Sequence, residues 1–188
     1  MTPDSPQTKD EVLIKRASQG DKQAFGVLYE NYMDQIYRYI YYRVANSFEA
    51  EDLTENVFLN AWQAMPKLAT KDESLQNFRA WLYRIAHNVV VDHHRSNNPA
   101  ISLDEALSLS DPTAGPESAT QANQDSQQLA AAINNLEPNL QQVLVCRFIN
   151  QLSHSETAEI MKIEPGYVRV LRHRALKKMA ELLTEEGK

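Results

Sequence analysis

Residues 153–179, SHSETAEIMKIEPGYVRVLRHRALKKM, decide the fold, because they read as two short helices joined by a tight turn, with cations on the second. Ser153 followed three residues later by Glu156 forms a capping box, in which side chain and backbone satisfy each other's open donors at a helix start. Ala158 is small enough to let two helix backbones approach, and Ile163 can plug the turn. Pro165 suits the first position of a new helix, where its missing N–H costs nothing. At about 100° per residue, Val168, Leu171, Ala175, Leu176 and Met179 share one face of that helix. Arg169, Val170, His173, Arg174 and Lys177 share the other, a short cationic face able to enter a major groove. Arg172 is the exception: its angle brings it toward the apolar side, where it snorkels or pairs with Glu156 or Glu159 rather than touching DNA. A cationic amphipathic helix is also what a solvated surface helix looks like, and late basic residues complement the helix dipole. The order of cap, turn residue and Pro-Gly favours a helix-turn-helix.

A net charge of −6 over 188 residues looks wrong for a DNA-binding chain until it is divided. Residues 1–96 carry 11 basic and 13 acidic groups, residues 97–146 carry none and 6, and residues 147–188 carry 8 and 6. The deficit therefore lies in the middle, whereas 162–178 holds 6 basic groups against 1 acidic, a local cluster that net charge conceals. The single cysteine, Cys146, excludes an internal disulfide or a C-x-x-C pair and suits a reducing compartment. No run reaches the ~18 apolar residues of a membrane span, and the start of the chain lacks signal-peptide regions, so a cytoplasmic protein without membrane insertion is expected.

The 27 residues 97–123 contain 4 acidic groups, no basic group and no aromatic, and interrupt strong helical periodicity on both sides. They read as a flexible linker that could span roughly 90 Å when extended. The expected architecture is all-α, with two small helical domains: 9–96, then a linker over 97–124, then 125–185. The first should hold a short helix over 9–18 ended by Gly20, a long one capped by Asp21, another over 50–65 stopped by Pro66, and a third over 77–95. Phe78, Trp81, Leu82, Ile85, Ala86 and Val89 make its core stripe. Arg84, Asn88, Val91 and Arg95 fall within about 60° of one another on the other side, with Trp81 at their edge and Lys67 and Lys71 in the preceding loop. Basic groups beside aromatics suit single-stranded nucleic acid; an exposed face with one core tryptophan suits the pattern equally. Tyr83, His87 and His94 form a neighbouring stripe. In the second domain, a helix through 129–136 is followed by one that opens at Pro138 and carries Leu140, Val143, Leu144 and Phe148.

Two blocks of this chain resemble one family, the extracytoplasmic-function sigma factors of bacterial RNA polymerase, minimal members of the sigma-70 family. GDKQAFGVLYENY, EAEDLTENVFLNAW and FRAWLYRIAHNVVVDHHR resemble parts of its region 2; LEPNLQQVLVCRFINQLSHSETAEIM and VRVLRHRALKKM resemble region 4. The resemblance implies a protein that binds core polymerase, directs it to promoters and helps open the duplex. It places Asp52, Glu55, Asn56 and Leu59 against the clamp coiled coil of the beta-prime subunit, and docks region 4 on the beta flap. Lys67, Lys71, Trp81, Arg84, Asn88 and Arg95 would handle the minus-10 element, with a non-template base flipped into a pocket. Arg169, Val170, His173, Arg174 and Lys177 would read the minus-35 element as duplex. Many relatives are held by an anti-sigma factor, and the resemblance admits one here. It also sends the acidic linker through polymerase channels, where it could mimic nucleic acid.

The chain departs from the family's pattern in several places. Glu55-Asn56 stands where Gln-Glu is usual, Lys162 replaces a common glycine in the turn, Glu164 replaces a better N-cap, and Leu171-Arg172 inverts a frequent order.

A self-sufficient helix-turn-helix regulator is the rival reading. If Arg169, Arg174, Lys177 and Lys178 each neutralise one phosphate, the salt slope is only about −3.6, and affinity falls roughly a hundredfold between 50 and 200 mM salt. Stand-alone regulators double such contacts by dimerising, and no heptad seam is present. An enzyme fares worst: the sequence lacks a Gly-rich phosphate loop, a metal-spaced Cys/His set and a nucleophile motif. His87, His93 and His94 do not share one face, so no metal is expected, nor any cofactor. Asp92 beside His93 is read as structural.

Overall fold

The computed structural model describes residues 6–68, 78–97 and 121–185, and among the described residues every regular element is helical. The chain runs α1 (Pro6–Ser18), α2 (Lys22–Val44), α3 (Ser47–Leu68), α4 (Phe78–Asn97), α5 (Gln121–Asn134), α6 (Pro138–Leu144), α7 (His154–Met161) and α8 (Pro165–Glu185). Lys71 and most of the acidic linker lie outside the described residues; α4 and α5 take in the linker's two ends.

Local chemistry sets the helix boundaries. Asp21 accepts from the backbone N–H groups of Gln23 and Ala24 at 3.0 and 3.1 Å, which satisfies two open donors at the start of α2. Those bonds, led by the one from Ala24 and followed by Arg16, hold its carboxyl below the usual range. Gly20, at φ 93, makes the preceding turn, a conformation that glycine adopts without strain. Pro66 does not stop α3, contrary to the sequence expectation; it sits inside the last turn, and the helix runs on to Leu68. Its missing N–H removes one bond of the ladder, beside carbonyls that the helix end leaves unpaired in any case, and only two residues of helix lie beyond it.

The core of the first four helices is built on Leu28, Ile36, Tyr39 and Ile40 of α2, Val57, Ala61 and Met65 of α3, and Leu82, Tyr83, Ala86 and Val90 of α4, all at most 1% exposed. Tyr39 and Tyr83 meet edge to face at 5.3 Å, a favoured arrangement of ring quadrupoles. Ile133, Val145, Cys146, Leu152 and Ile160 join this same cluster from the second half of the chain. A smaller cluster of Leu136, Leu140, Val143, Leu144, Ala158, Val168, Leu171 and Ala175 holds the helix-turn-helix, with Ile163 packed against it from the turn.

Two apolar residues expected on buried faces are exposed. α6 continues into a π-helical turn, Val145–Ile149, closed by the N–H of Asn150 on the carbonyl of Val145 at 3.0 Å. That turn inserts a residue into the helical repeat, so Val145 and Cys146 point inward while Phe148 is 49% exposed. Leu176 is 45% exposed because the packed side of α8 runs through Leu171, Ala175, Met179 and Leu182, and Leu176 lies about 100° round from Ala175. Val91, expected on the outer stripe of α4, is instead buried.

The turn between α7 and α8 has its own strain. Lys162 adopts the left-handed conformation, φ 55 and ψ 44, and its N–H and that of Ile163 both donate to the carbonyl of Ala158. A side chain there costs about 1 kcal/mol relative to glycine. Lys162→Gly is therefore expected to raise the thermal midpoint by roughly 2–4 °C, checked by calorimetry.

Candidate nucleic-acid interface

α7 starts as its sequence demands. Ser153 Oγ accepts from the N–H of Glu156 at 3.1 Å, and Glu156 Oε2 accepts from the N–H of Ser153 at 2.7 Å, so the capping box is complete. The turn then delivers α8 with Val168, Leu171 and Ala175 inward. Arg169, Val170, His173, Arg174 and Lys177 all stand exposed on its outer side. Arg172 is half-buried, nearer the apolar side, as its helical angle requires. His154, at the start of α7, is held below the usual histidine range by partial burial and then by the charges of Arg147, Arg172 and Arg169. This end of the molecule carries a positive field suited to phosphates.

The outer face of α4 is less free. Asn88 is exposed, Trp81 is half-buried against Phe78 at 5.4 Å, and Arg95 pairs with Asp92 at 2.8 Å. Arg84 Nη1 lies 3.5 Å from Glu159 Oε1 of α7. Lys67 is exposed at the end of α3. The stripe is thus a set of residues on one helix side, one of them engaged by the helix-turn-helix.

The third face belongs to α3, where Asp52, Glu55, Asn56 and Leu59 are all exposed, Leu59 to 54%. An exposed apolar side chain one and two turns along a helix from acidic and amide groups offers an anchor beside polar contacts, a combination suited to protein binding.

The sequence missed how the stripe of Tyr83, His87 and His94 is used. Tyr83 and His87 face the second half of the chain, whereas His94 meets Arg43 and His93 within the first. Tyr83 Oη donates to Asn150 Oδ1 at 3.0 Å, and Arg79 Nη2 donates to the Asn150 carbonyl at 2.9 Å, with Glu156 at 3.6 Å from Nη1. His87 Nδ1 meets Gln142 Nε2 at 3.1 Å, and Asn134 reaches the Tyr42 carbonyl at 3.4 Å. The available signal was a polar stripe at helical spacing beside a fully apolar one; its partner lay more than 50 residues away.

Burial first, and then the charge of Arg43, pushes His87 down to about 3 and His94 down to about 4. Lys162 acts further on His87 and the neighbouring His93 on His94. Both imidazoles are therefore neutral in the folded chain, while unfolded they titrate near 6.5. Between those values the unfolded state binds more protons, so stability is fully present above about pH 7 and falls as the pH drops. The loss reaches up to about 2 kcal/mol per histidine at pH 5. Urea melts between pH 7.5 and 5 check this, and His87→Gln should remove roughly half of the dependence. The Cys146 thiol is pushed up to about 12 by burial, which keeps it inert. Among the described residues no cluster of three metal-ligating side chains occurs, and no helix is long and apolar enough to cross a membrane.

The geometry agrees with known proteins. Residues 28–99 match Sigma-70 region 2 and residues 126–179 match Sigma-70, region 4. The ECF RNA polymerase sigma factor BldN of Streptomyces coelicolor is 35% identical over 187 residues, covering 98% of this chain and 70% of BldN. SigW of Bacillus subtilis is 29% identical, covering 92% and 95%. Among solved structures, CnrH in complex with the cytosolic domain of CnrY has a similar fold, with a TM-score of 0.74 over 94% of this chain and 98% of that one, at 21% identity.

Proposed function

The chain belongs to the extracytoplasmic-function sigma factors of the sigma-70 family, and from that premise we propose which of its faces meet polymerase and promoter. Leu59, with Asp52, Glu55 and Asn56 around it, binds the clamp coiled coil of beta-prime. Arg169, Val170, His173, Arg174 and Lys177 read the minus-35 duplex, where Arg addresses guanine edges and phosphates. Trp81, Arg84, Asn88 and Arg95, with Lys67 and Lys71, handle the minus-10 element as single strand, where unpaired bases offer faces for stacking. The observation that carries this reading is the exposed cationic face of α8, presented by a helix-turn-helix whose first helix starts in a complete capping box. The division into 9–96, 97–124 and 125–185 follows the same roles.

An acceptor for the second half on the beta flap and an anti-sigma factor are proposed as further partners. The anti-sigma factor would have to cover the α3 patch or the α8 face to silence the protein. We assign the chain no catalytic step, and place it in the cytoplasm with polymerase. Size-exclusion chromatography with purified bacterial core polymerase tests the reading: co-migration is expected, and separate elution would refute it.

A further inference from the structure

The outer face of α8 is not uniformly cationic. At about 100° per residue, Arg169, His173, Lys177, Val170 and Arg174 spread over an arc of about 140°. Gly166 falls near the middle of that arc, within about 20° of His173 and Lys177, so the first turn of the face is bare backbone at its centre. Val170 stands one turn further on, about 40° round from Gly166, and is 42% exposed. Tyr167, 45% exposed, occupies the flank of the same turn, about 20° from Arg174.

Nothing inside the chain requires a glycine at 166. A Cβ there would meet no atom within 4 Å, the residue lies inside the helix Pro165–Glu185, and Gly20 is the one glycine with a positive φ among the described residues. Glycine is a poor helix former; what it offers at such a place is close approach of another molecule to the backbone.

The two apolar side chains beside it narrow the chemistry of that molecule. Side chains on a helix lean toward its N-terminal end, so Val170 leans over the turn that Gly166 leaves open, with Tyr167 next to it. Their apolar surface gains only where it meets another apolar group and both lose water. In the major groove of duplex DNA thymine presents such a group, its C5-methyl, whereas guanine, adenine and cytosine present hydrogen-bonding edges.

We propose that Gly166, Val170 and Tyr167 form an apolar notch in the outer face of α8 that receives the C5-methyl of a thymine in the minus-35 element. The proposal rests on the duplex-reading role of α8. Gly166 lets the helix sit close to the base edges, Val170 supplies the main apolar contact, and Tyr167 excludes water from the flank. Arg169 and Arg174 lie about 4 and 12 Å from Gly166 along the axis, at ~1.5 Å per residue. These are one to four base-pair steps at ~3.4 Å, so the selected thymine lies within about four base pairs of a guanine.

The test uses holoenzyme assembled from the full chain and purified core polymerase. A duplex library randomised over the minus-35 element is selected for binding, and each thymine of the selected duplex is then replaced in turn by deoxyuridine, which removes only the methyl. At one thymine the wild type is expected to lose about fourfold in affinity, the effect of one buried methyl, while Val170→Ala and Tyr167→Ala lose less than about twofold there. Gly166→Ala is expected to hold the thermal midpoint or raise it slightly, because alanine is the better helix former and nothing in the chain is in its way. It should nevertheless weaken duplex binding and abolish the response to deoxyuridine. Tyr167→Phe keeps the ring and is expected to match the wild type; an equal loss on both duplexes would place the hydroxyl on a phosphate and overturn the three-residue notch. The notch is equally overturned if no thymine responds, or if Val170→Ala and Gly166→Ala respond as the wild type does. Arg169→Ala with Arg174→Ala separates the two claims. Undiminished duplex binding by that variant would overturn the duplex-reading role of α8 itself, whereas weakened binding with no response to deoxyuridine in the wild type overturns the notch alone.

Discussion

Replacing Arg169 and Arg174 together by alanine is expected to weaken binding of the polymerase-bound chain to a minus-35 duplex by about 10²- to 10³-fold, at an unchanged thermal midpoint. The magnitude follows from the chemistry of arginine in a major groove, where each good guanine contact is worth ~1–3 kcal/mol, and tenfold in affinity corresponds to about 1.4 kcal/mol. The midpoint should hold because both side chains are exposed on the outer side of α8, while Val168, Leu171 and Ala175 carry the packing. Arg172→Ala is the internal control: half-buried on the other side, it should cost stability through its packed stem more than it costs DNA binding. Fluorescence anisotropy with duplex and with core polymerase separates the outcomes. Loss of core binding to the same degree as DNA binding would contradict the assignment of α8.

The second large effect is expected at Leu59. It is the exposed apolar centre of a face otherwise made of Asp52, Glu55 and Asn56, and an anchor of that kind carries about 2 kcal/mol or more of an interface. Leu59→Asp should therefore lower affinity for core polymerase by about 30-fold or more, while leaving the melt and the binding of minus-10 oligonucleotide alone. The change is on the solvent side of α3, whose inner side keeps Val57, Ala61 and Met65. Wild-type affinity in a titration against core polymerase would move the polymerase-binding site away from α3.

Much of this is legible in the sequence, for a physical reason that differs by element. The caps were legible because capping is local: Asp21 and Ser153 each satisfy donors within three residues of themselves, so spacing alone identifies them. The cationic face of α8 was legible because helical periodicity fixes which side chains share a side. Pro66 was misjudged because a proline's effect depends on how many hydrogen bonds remain beyond it, and in α3 few do. Phe148 was misplaced because the π-helical turn at Val145–Ile149 shifts the repeat by one residue, a change that no apolar pattern announces.

The seam was the least legible feature. Tyr83 and His87 stand out in the sequence only as polar groups at helical spacing, and Arg79 not at all; their partners Asn150, Gln142 and Glu156 lie 55 to 77 residues further along the chain. Reading the two halves as joined by a linker predicts two bodies and is silent on whether they touch. The shared cluster that includes Tyr39, Tyr83, Val145 and Cys146 changes the functional account: the residues assigned to the minus-10 element are found partly engaged by the residues that present the minus-35 reader.

The central claim is that this chain confers promoter choice on core polymerase by reading two separated elements. Run-off transcription with purified core polymerase on a promoter library, with and without the chain, tests it most directly. The expected result is transcripts that appear only when the chain is added, start downstream of a paired minus-35 and minus-10 element, and vanish when either element is scrambled. The contradicting result is the absence of any chain-dependent transcript alongside tight, polymerase-independent binding of the chain to a single duplex site.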